Sequence, residues 1–447
     1  MPRFLLIPPL LLLLTTCRRS VVDLTVSADF TYEVLDNDYS VPVRIAFQNT
    51  SKGAQFYRWN FEGGLPETYD KADPGYVTFE KPGLIKIKLE AWNDEEHKEK
   101  EITLQLDSVV QAGFTVTPVI NNYGPTDFTI TNLSKGVTKY QWTFENGQPA
   151  TSIEKEPQVR FNTPGEHRVF LTAQNDRGEK DTVSQTVIVL PALDTADFTI
   201  VPSFDDDDYE APLTATLENH TVSATTHHWS APGGVLSNAA DSIPTVTFSS
   251  AGTYTITYEA SNGKQTKTVT RQITVKPNTG LRTFKDVQLG INTAHTTIGS
   301  FFSTRLRQVF TKDAVNADNG PLIDLAFFGL SESFSVNLFV SPDSVQAWTF
   351  AAIPGATTTR RINSLEKCNC PAQLTPSDFD AITSGSQLQS MPISENASGL
   401  SPFNSDLLPR VVLFQNAAGK KGAVKIKQFV PAGKQSYIVC DIKVQKD

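Results

Sequence analysis

The sequence predicts an all-β protein: three tandem β-sandwiches followed by a β-rich C-terminal domain with minor helix. Three observations predict it. A strand-and-turn unit, Tyr57-Arg58-Trp59-Asn60-Phe61-Glu62-Gly63-Gly64, returns as Tyr140-Gln141-Trp142-Thr143-Phe144-Glu145-Asn146-Gly147 and, more altered, as His227-His228-Trp229-Ser230-Ala231-Pro232-Gly233-Gly234. The copies share a fixed spacing, with Phe30, Phe114 and Phe198 following one another at 84 residues. Between the landmarks the chain alternates apolar and polar residues in short runs bounded by Gly, Pro and Asn, which is the signature of half-buried strands. About seven such strands per copy is the pattern of an antiparallel sandwich.

The N-terminus reads as an export signal. Arg3 precedes an apolar run from Phe4 to Leu14, which is too short to span a bilayer, since that takes about 20 residues. The run ends in Leu14-Thr15-Thr16-Cys17, with Arg18-Arg19 behind it. A Leu three residues before a Cys resembles a bacterial lipobox. That resemblance implies a signal peptide over 1–16, cleavage before Cys17, lipidation of its sulfur and a tether over 17–27. Thr at both intermediate positions is looser than the usual small-residue pattern, and the alternative is a plain signal peptide.

Each copy then runs in the same order. Ala28-Asp29-Phe30, Ala112-Gly113-Phe114 and Ala196-Asp197-Phe198 open a strand. A polar loop follows with Tyr39, Tyr123 or Tyr209. The next strand ends in Asn49-Thr50-Ser51, Asn132-Leu133-Ser134 or Asn219-His220-Thr221, and the Trp comes ten residues after each Asn. These three sites match a glycosylation pattern, but their recurrence at one repeat position favours a turn. After Pro82-Gly83, Pro164-Gly165 and Ala251-Gly252 an alternating strand closes on Ala91-Trp92-Asn93, Ala173-Gln174-Asn175 or Ala260-Ser261-Asn262. A last strand completes each copy, giving domains over 28–106, 112–190 and 196–276. A domain this small buries a modest share of its surface, so it leans on its central aromatics, each contributing on the order of 2–3 kcal/mol by area. Trp59, Trp142 and Trp229 are therefore core residues. His227 and His228 fall on opposite faces of a strand and cannot chelate together.

The strand carrying Trp-x-Phe-x-x-Gly, the Pro-Gly turn and the Ala-x-Asn strand together resemble PKD domains, Ig-like sandwiches of bacterial surface and secreted proteins. The resemblance covers about residues 27–276. It implies a spacer or a binding surface. Where the family carries two Asp in its Trp-Asp-Phe-Gly-Asp-Gly hallmark, this chain has Asn60 and Gly63, then Thr143 and Asn146, so a cation role tied to those acids does not transfer.

Lys276-Pro277-Asn278-Thr279-Gly280 breaks the repeat, and 281–447 is a different domain. Strands are expected at Lys285–Gly290, within Ile323–Gly329, around Trp348-Thr349-Phe350, at 410–416 and 423–430, and on through Cys440. Thr375-Pro376-Ser377-Asp378 reads as the N-cap of a short helix reaching Ile382. Residues 383–406, rich in Ser, Gly, Asn and Pro, read as one long loop. The domain loosely resembles C-terminal domains of Bacteroidetes surface lipoproteins.

Composition excludes several classes. The net charge is −9 and no basic block interrupts the body, which argues against nucleic acid as a partner. Six His leave little for metal or acid–base chemistry. No Gly-x-Ser-x-Gly, His-Glu-x-x-His, glycine-rich phosphate loop or Cys–His pair is present, and no cofactor motif. The densest acid run, Asp205-Asp206-Asp207-Asp208, supplies the oxygens that Ca²⁺ takes; the alternative is a solvated loop built on Asx turns. Cys368, Cys370 and Cys440 allow one disulfide in an exported chain, with Cys440 joined to Cys368 or Cys370 as the expected pairing. Cys368-Asn369-Cys370 has no further ligands beside it for a metal. Trp92 stands where the sister copies carry Gln174 and Ser261, so it is a candidate ligand platform, as is Trp348, the only Trp of the last domain; packing is the alternative for both.

These readings converge on a lipid-anchored protein at the outer membrane or cell surface of a Gram-negative bacterium. Its spacers present the C-terminal domain for glycan or protein binding, with the membrane engaged through the anchor. An extracellular glycoside hydrolase with accessory modules and a structural adhesin or assembly component are the competing readings. The balance of motifs is against an enzyme.

Overall fold

The computed structural model describes residues 25–330, 333–403 and 406–446. The expected lipidation site Cys17 and the expected signal peptide over 1–16 lie outside them. The chain divides into two compact units. The first runs to Phe198 and includes His220–His228 and Tyr258–Val269; the second holds Thr199–Asn219, Trp229–Thr257 and Thr270–Asp447.

In the first copy one sheet orders strands Phe30–Val34, Val43–Asn49, Gly75–Phe79 and Gly64–Leu65, and the other orders Thr68–Tyr69, Phe56–Phe61, Gly83–Trp92 and His97–Leu106. The second copy repeats both orders with Phe114–Pro118, Thr126–Asn132, Gln158–Phe161 and Gly147–Gln148, and with Thr151–Ser152, Lys139–Phe144, Gly165–Gln174 and Lys180–Val189. Residues 198–275 form a four-stranded and a three-stranded antiparallel sheet, with Leu213–Asn219 paired to Thr245–Phe248 as Val43–Asn49 is to Gly75–Phe79.

The hallmark strand earns its place through Trp and Gly. Trp59, Trp142 and Trp229 are buried. Each indole Nε1 donates to a backbone carbonyl 12 or 13 residues on, that of Ala72 (3.1 Å), Glu154 (2.8 Å) or Asp241 (2.8 Å), so the buried polar atom is satisfied. The two positions before the next strand do different jobs. Gly63, Asn146 and Gly233 hold the left-handed turn at φ 71°, 57° and 86°, which Gly and Asn tolerate. Gly64, Gly147 and Gly234 are there for closeness: a Cβ on Gly147 would lie 2.6 Å from Phe144 Cβ and 2.7 Å from Val159 Cγ2, and Gly64 and Gly234 are as tight. The recurrent Asn-x-Ser or Asn-x-Thr is a turn, as expected. Asn49 and Asn132 Oδ1 accept from the backbone N of Ser51 and Ser134, and the Ser51, Ser134 and Thr221 hydroxyls accept from the backbone N of Asp29, Gly113 and Asp197.

The terminal domain packs two sheets face to face. One orders Leu281–Gly290, Tyr437–Gln445, Lys421–Val430, Arg410–Gln415 and Arg360–Ile362; the other orders Gln308–Phe310, Phe301–Ser303, Leu325–Phe328 and Leu338–Val340. Leu289, Phe302, Phe327, Phe339, Val412 and Ile442 fill the space between them. The outer faces are covered too. Phe379, Ile382 and Leu388 lie over Val411 and Leu413, and Phe350 and Val345 cover Phe301 and Phe328. That double cover is why Val411–Phe414 and Leu325–Phe328 read as unbroken apolar runs. The expected helix appears as Pro376–Ala381, with Thr375 and Asp378 forming a capping box. Two expectations are corrected. Trp348-Thr349-Phe350 is no strand; Pro342–Trp348 is 3₁₀ turn, and Thr349 breaks it at φ 73°. The stretch 383–406 is not all loop, because Ser384 and Gln387 form a second capping box on the helix Gly385–Gln389.

Gly147→Ala is expected to destabilise the second sandwich by about 1–3 kcal/mol through overpacking, read as a lower urea midpoint for its Trp142 fluorescence; an unchanged midpoint would contradict the close-packing role.

Candidate functional site

One local device recurs in each of the three sandwiches. After the Ala-x-Asn strand the chain must reverse, and the Asn side chain closes the turn. Asn93 Oδ1 accepts from the backbone N of Glu95 and Glu96, Asn175 Oδ1 from Arg177 and Glu179, and Asn262 Oδ1 from Lys264 and Gln265, all at 2.7–3.1 Å. At the opposite end, the Tyr loop lies beside the end of the copy's last strand. Asp107 N donates to Tyr39 O, Leu190 N to Asn122 O and Lys276 N to Tyr209 O.

A cation from the following module is aimed at each Tyr loop. Arg177 Nε lies 2.6 Å from Asp107 Oδ2, and its guanidinium sits 3.9 Å from the Tyr39 ring centroid. Lys264 Nζ donates to the carbonyls of Tyr123 (3.0 Å) and Pro125, while Asn121 Nδ2 donates to Asn262 O at 2.8 Å. The third loop meets the terminal domain through several charges. Arg282 pairs with Asp207 (2.9 Å), Arg307 with Asp205 (3.2 Å) and Asp207 (2.9 Å), Arg305 with Asp205 (3.5 Å), and Lys446 with Asp208 (2.6 Å) and Glu210 (2.7 Å). Arg307 also stacks 4.0 Å over Phe204, and Glu210 accepts from Thr279 N and Oγ1.

The Asp205–Asp208 run is thus an anionic clasp. Asp205, Asp207 and Asp208 face four cations, which oppose a divalent ion. Asp206 Oδ2 is taken up locally by Ser203 Oγ (2.6 Å) and Thr214 N (3.0 Å). No cluster of three metal-binding side chains stands among the described residues. Burial acts to raise the carboxyls of Asp208 and Glu210, but hydrogen bonds from Lys446 and from the backbone N–H groups of Glu210 and Thr279 outweigh it and hold both below their ordinary values.

The other candidates separate. Trp92 is half-buried at a surface cleft of about 440 Å³ lined by Arg58, Glu90 and the Asn93–His97 turn. Phe56 stacks beside it at 5.9 Å, and Arg58 reaches 6.0 Å from its ring. Trp348 instead packs on Phe328 at 5.1 Å at the edge of the terminal core. The expected Cys440 pairing is corrected: Cys368 bonds to Cys370, with Cα atoms 5.0 Å apart, and Cys440 is free and fully buried. The two sites lie in different cores. Cys440 belongs to the layer between the sheets, Cys368 and Cys370 to the helix-covered outer face. Burial pushes the Cys440 thiol far up and keeps it protonated. Sequence reasoning missed the clasp cations, since Arg282, Arg307 and Lys446 carry no motif and meet the acid run only through the fold.

Because the Asp208 and Glu210 carboxyls are depressed in the folded state, their contribution is present above the ordinary carboxylate range and lost as pH falls through it toward the folded values. Asp208→Asn is expected to cost about 1 kcal/mol near pH 7, a fall of about 2–4 °C in the terminal domain's Tm. The wild-type and variant curves should merge toward pH 2; a constant offset across pH would contradict the clasp.

Residues 112–188 match the family described as PKD domain. No curated protein matches the chain. Among solved structures, it is similar to Sidekick-1 immunoglobulin domains 1–5, at 12% identity over 57% of this chain and 60% of that one with a TM-score of 0.27. It is also similar to protocadherin gammaB7 EC3–6, at 9% identity over 55% and 72%, TM-score 0.26. A third is the structure titled for host cell surface retention of a 1.5-MDa bacterial ice-binding adhesin, at 10% identity over 57% and 99%, TM-score 0.25. On the family match, the second copy, with its buried Trp142 and close-packed Gly147, is a PKD domain.

Proposed function

We propose that this is a surface protein of a Gram-negative bacterium, lipid-anchored to the outer membrane through Cys17. Three PKD-type sandwiches carry the C-terminal domain, which binds a glycan or a partner protein. The observation that carries the reading is the recurrence of one joint. A cation of the following module engages the Tyr loop at Tyr39, at Tyr123 and at Asp205–Glu210. A cation at each of these three loops suits a scaffold that presents its last domain. The first and third copies share the indole–carbonyl bond and the close-packed Gly of the matched PKD domain, which supports extending that family to them. Acyl chains on Cys17 would hold the protein by about 0.8 kcal/mol per buried CH₂.

Expressed with its native export segment, the protein is expected in the membrane fraction and open to protease added to intact cells. Cys17→Ala is expected to move it to the soluble fraction. The mature chain is expected to be retained by at least one member of a panel of immobilised glycans and surface proteins. Membrane retention of the Cys17→Ala variant would overturn the anchor, and absence of any retention would overturn the binding role.

A further inference from the structure

The turn face of the first copy differs from those of the second and third. In the second and third copies the residue two after the turn Asn carries the docking cation, Arg177 or Lys264, and its backbone N is held by the Asn Oδ1 at 3.1 and 3.0 Å. Glu95 makes the same bond to Asn93 at 2.9 Å. Its side chain therefore leaves the turn from the same place with the opposite charge. The preceding position changes as well, from Gln174 and Ser261 to Trp92. Leu193 N bonds Gln265 Oε1 and Val26 N bonds Glu96 Oε2, so the chain enters the first and third copies alike.

Charge decides what this face accepts. A Tyr loop presents carbonyl oxygens and carboxylates, as Tyr123, Pro125 and Asp107 do to their cations; Glu95 would repel it. Each Tyr loop of this chain, moreover, is already engaged by the module that follows. What remains is a cleft with Trp92 as its wall, Glu90 and the exposed Asp94 and Glu95 around it, and Arg58 already lying over the indole.

We propose that this face is a docking site for a basic segment of another protein. An arginine or lysine of the partner lies against Trp92 with its charge at Glu95, the mirror image of the joints inside the chain, where the cation comes from the turn and the acceptors from the partner. An indole face attracts a guanidinium or ammonium, and the carboxylate fixes its direction. The site is separate from the terminal domain and does not depend on what that domain binds.

The test uses the mature full-length chain and the ¹H–¹⁵N signals of its five indoles, with that of Trp92 identified by Trp92→Phe. The probes are a pentapeptide Arg-Gly-Arg-Gly-Arg, blocked at both ends, the same peptide with citrulline for arginine, and a neutral hexasaccharide. The arginine peptide is expected to move the Trp92 signal to saturation while the Trp59, Trp142 and Trp229 signals stay in place. The citrulline peptide should bind at least about tenfold more weakly, roughly 1.4 kcal/mol. Glu95→Arg should abolish the shift with the three core signals unchanged, which shows the fold intact. The proposal is overturned if the Trp92 signal does not move, if citrulline works as well as arginine, if Glu95→Arg changes nothing, or if the oligosaccharide moves the signal at lower concentration than the peptide.

Discussion

The side-chain amide that closes the turn after each Ala-x-Asn strand is the constraint on which the chain's organisation rests. Asn93, Asn175 and Asn262 each bind two backbone N–H groups with one oxygen. That geometry fixes the direction of the residue two places on. In two copies this residue is the cation that reaches the preceding Tyr loop, and in the first it is Glu95. A loop reversal that any Gly-rich turn would provide has become a register point for joining modules.

The joints are individually weak. Arg177 and Asp107 are partly exposed, and such a pair contributes up to about 1 kcal/mol, with a cation over a ring adding a similar amount. The sandwich interiors are different in scale. Trp59, Trp142 and Trp229 are buried with their N–H groups satisfied, and the Gly after the turn admits no Cβ. The core Trp and the close-packed Gly therefore recur in all three copies, while the residue two after the turn Asn changes from guanidinium to ammonium to carboxylate. The third Tyr loop faces a domain of another fold and has gained Asp205, Asp207 and Asp208 to suit Arg282, Arg307 and Lys446.

Local physics made the sandwiches legible. Alternation, Pro-Gly turns and the returning Trp depend on neighbours in sequence, and the structure places Trp59, Phe61, Val77, Ile87 and Leu89 in one core as the pattern requires. The Thr375 cap and the buried strand at Leu325–Phe328 were readable for the same reason. What stayed hidden depends on distance along the chain. The ion-pair partners of Asp205–Asp208 lie some 75 to 240 residues away and carry no local signal. The packing of Trp348 on Phe328 belongs to a 3₁₀ turn with no periodic signal. Cys440 was expected to pair with Cys368 or Cys370, yet it faces the core between the sheets while those two face the helices on the other side.

The central claim is that a cation on the Asn turn ties a sandwich to the one before it, as Arg177 and Lys264 do. Limited proteolysis of the 107–111 connection in the full-length chain tests it most directly, with Arg177→Asp, Asp107→Arg and the double exchange side by side. The account predicts that each single reversal speeds cleavage about fivefold or more, as loss of roughly 1 kcal/mol implies, and that the exchanged pair returns toward the wild-type rate. Single variants cleaved no faster than wild type, or an exchanged pair as labile as the singles, would contradict it.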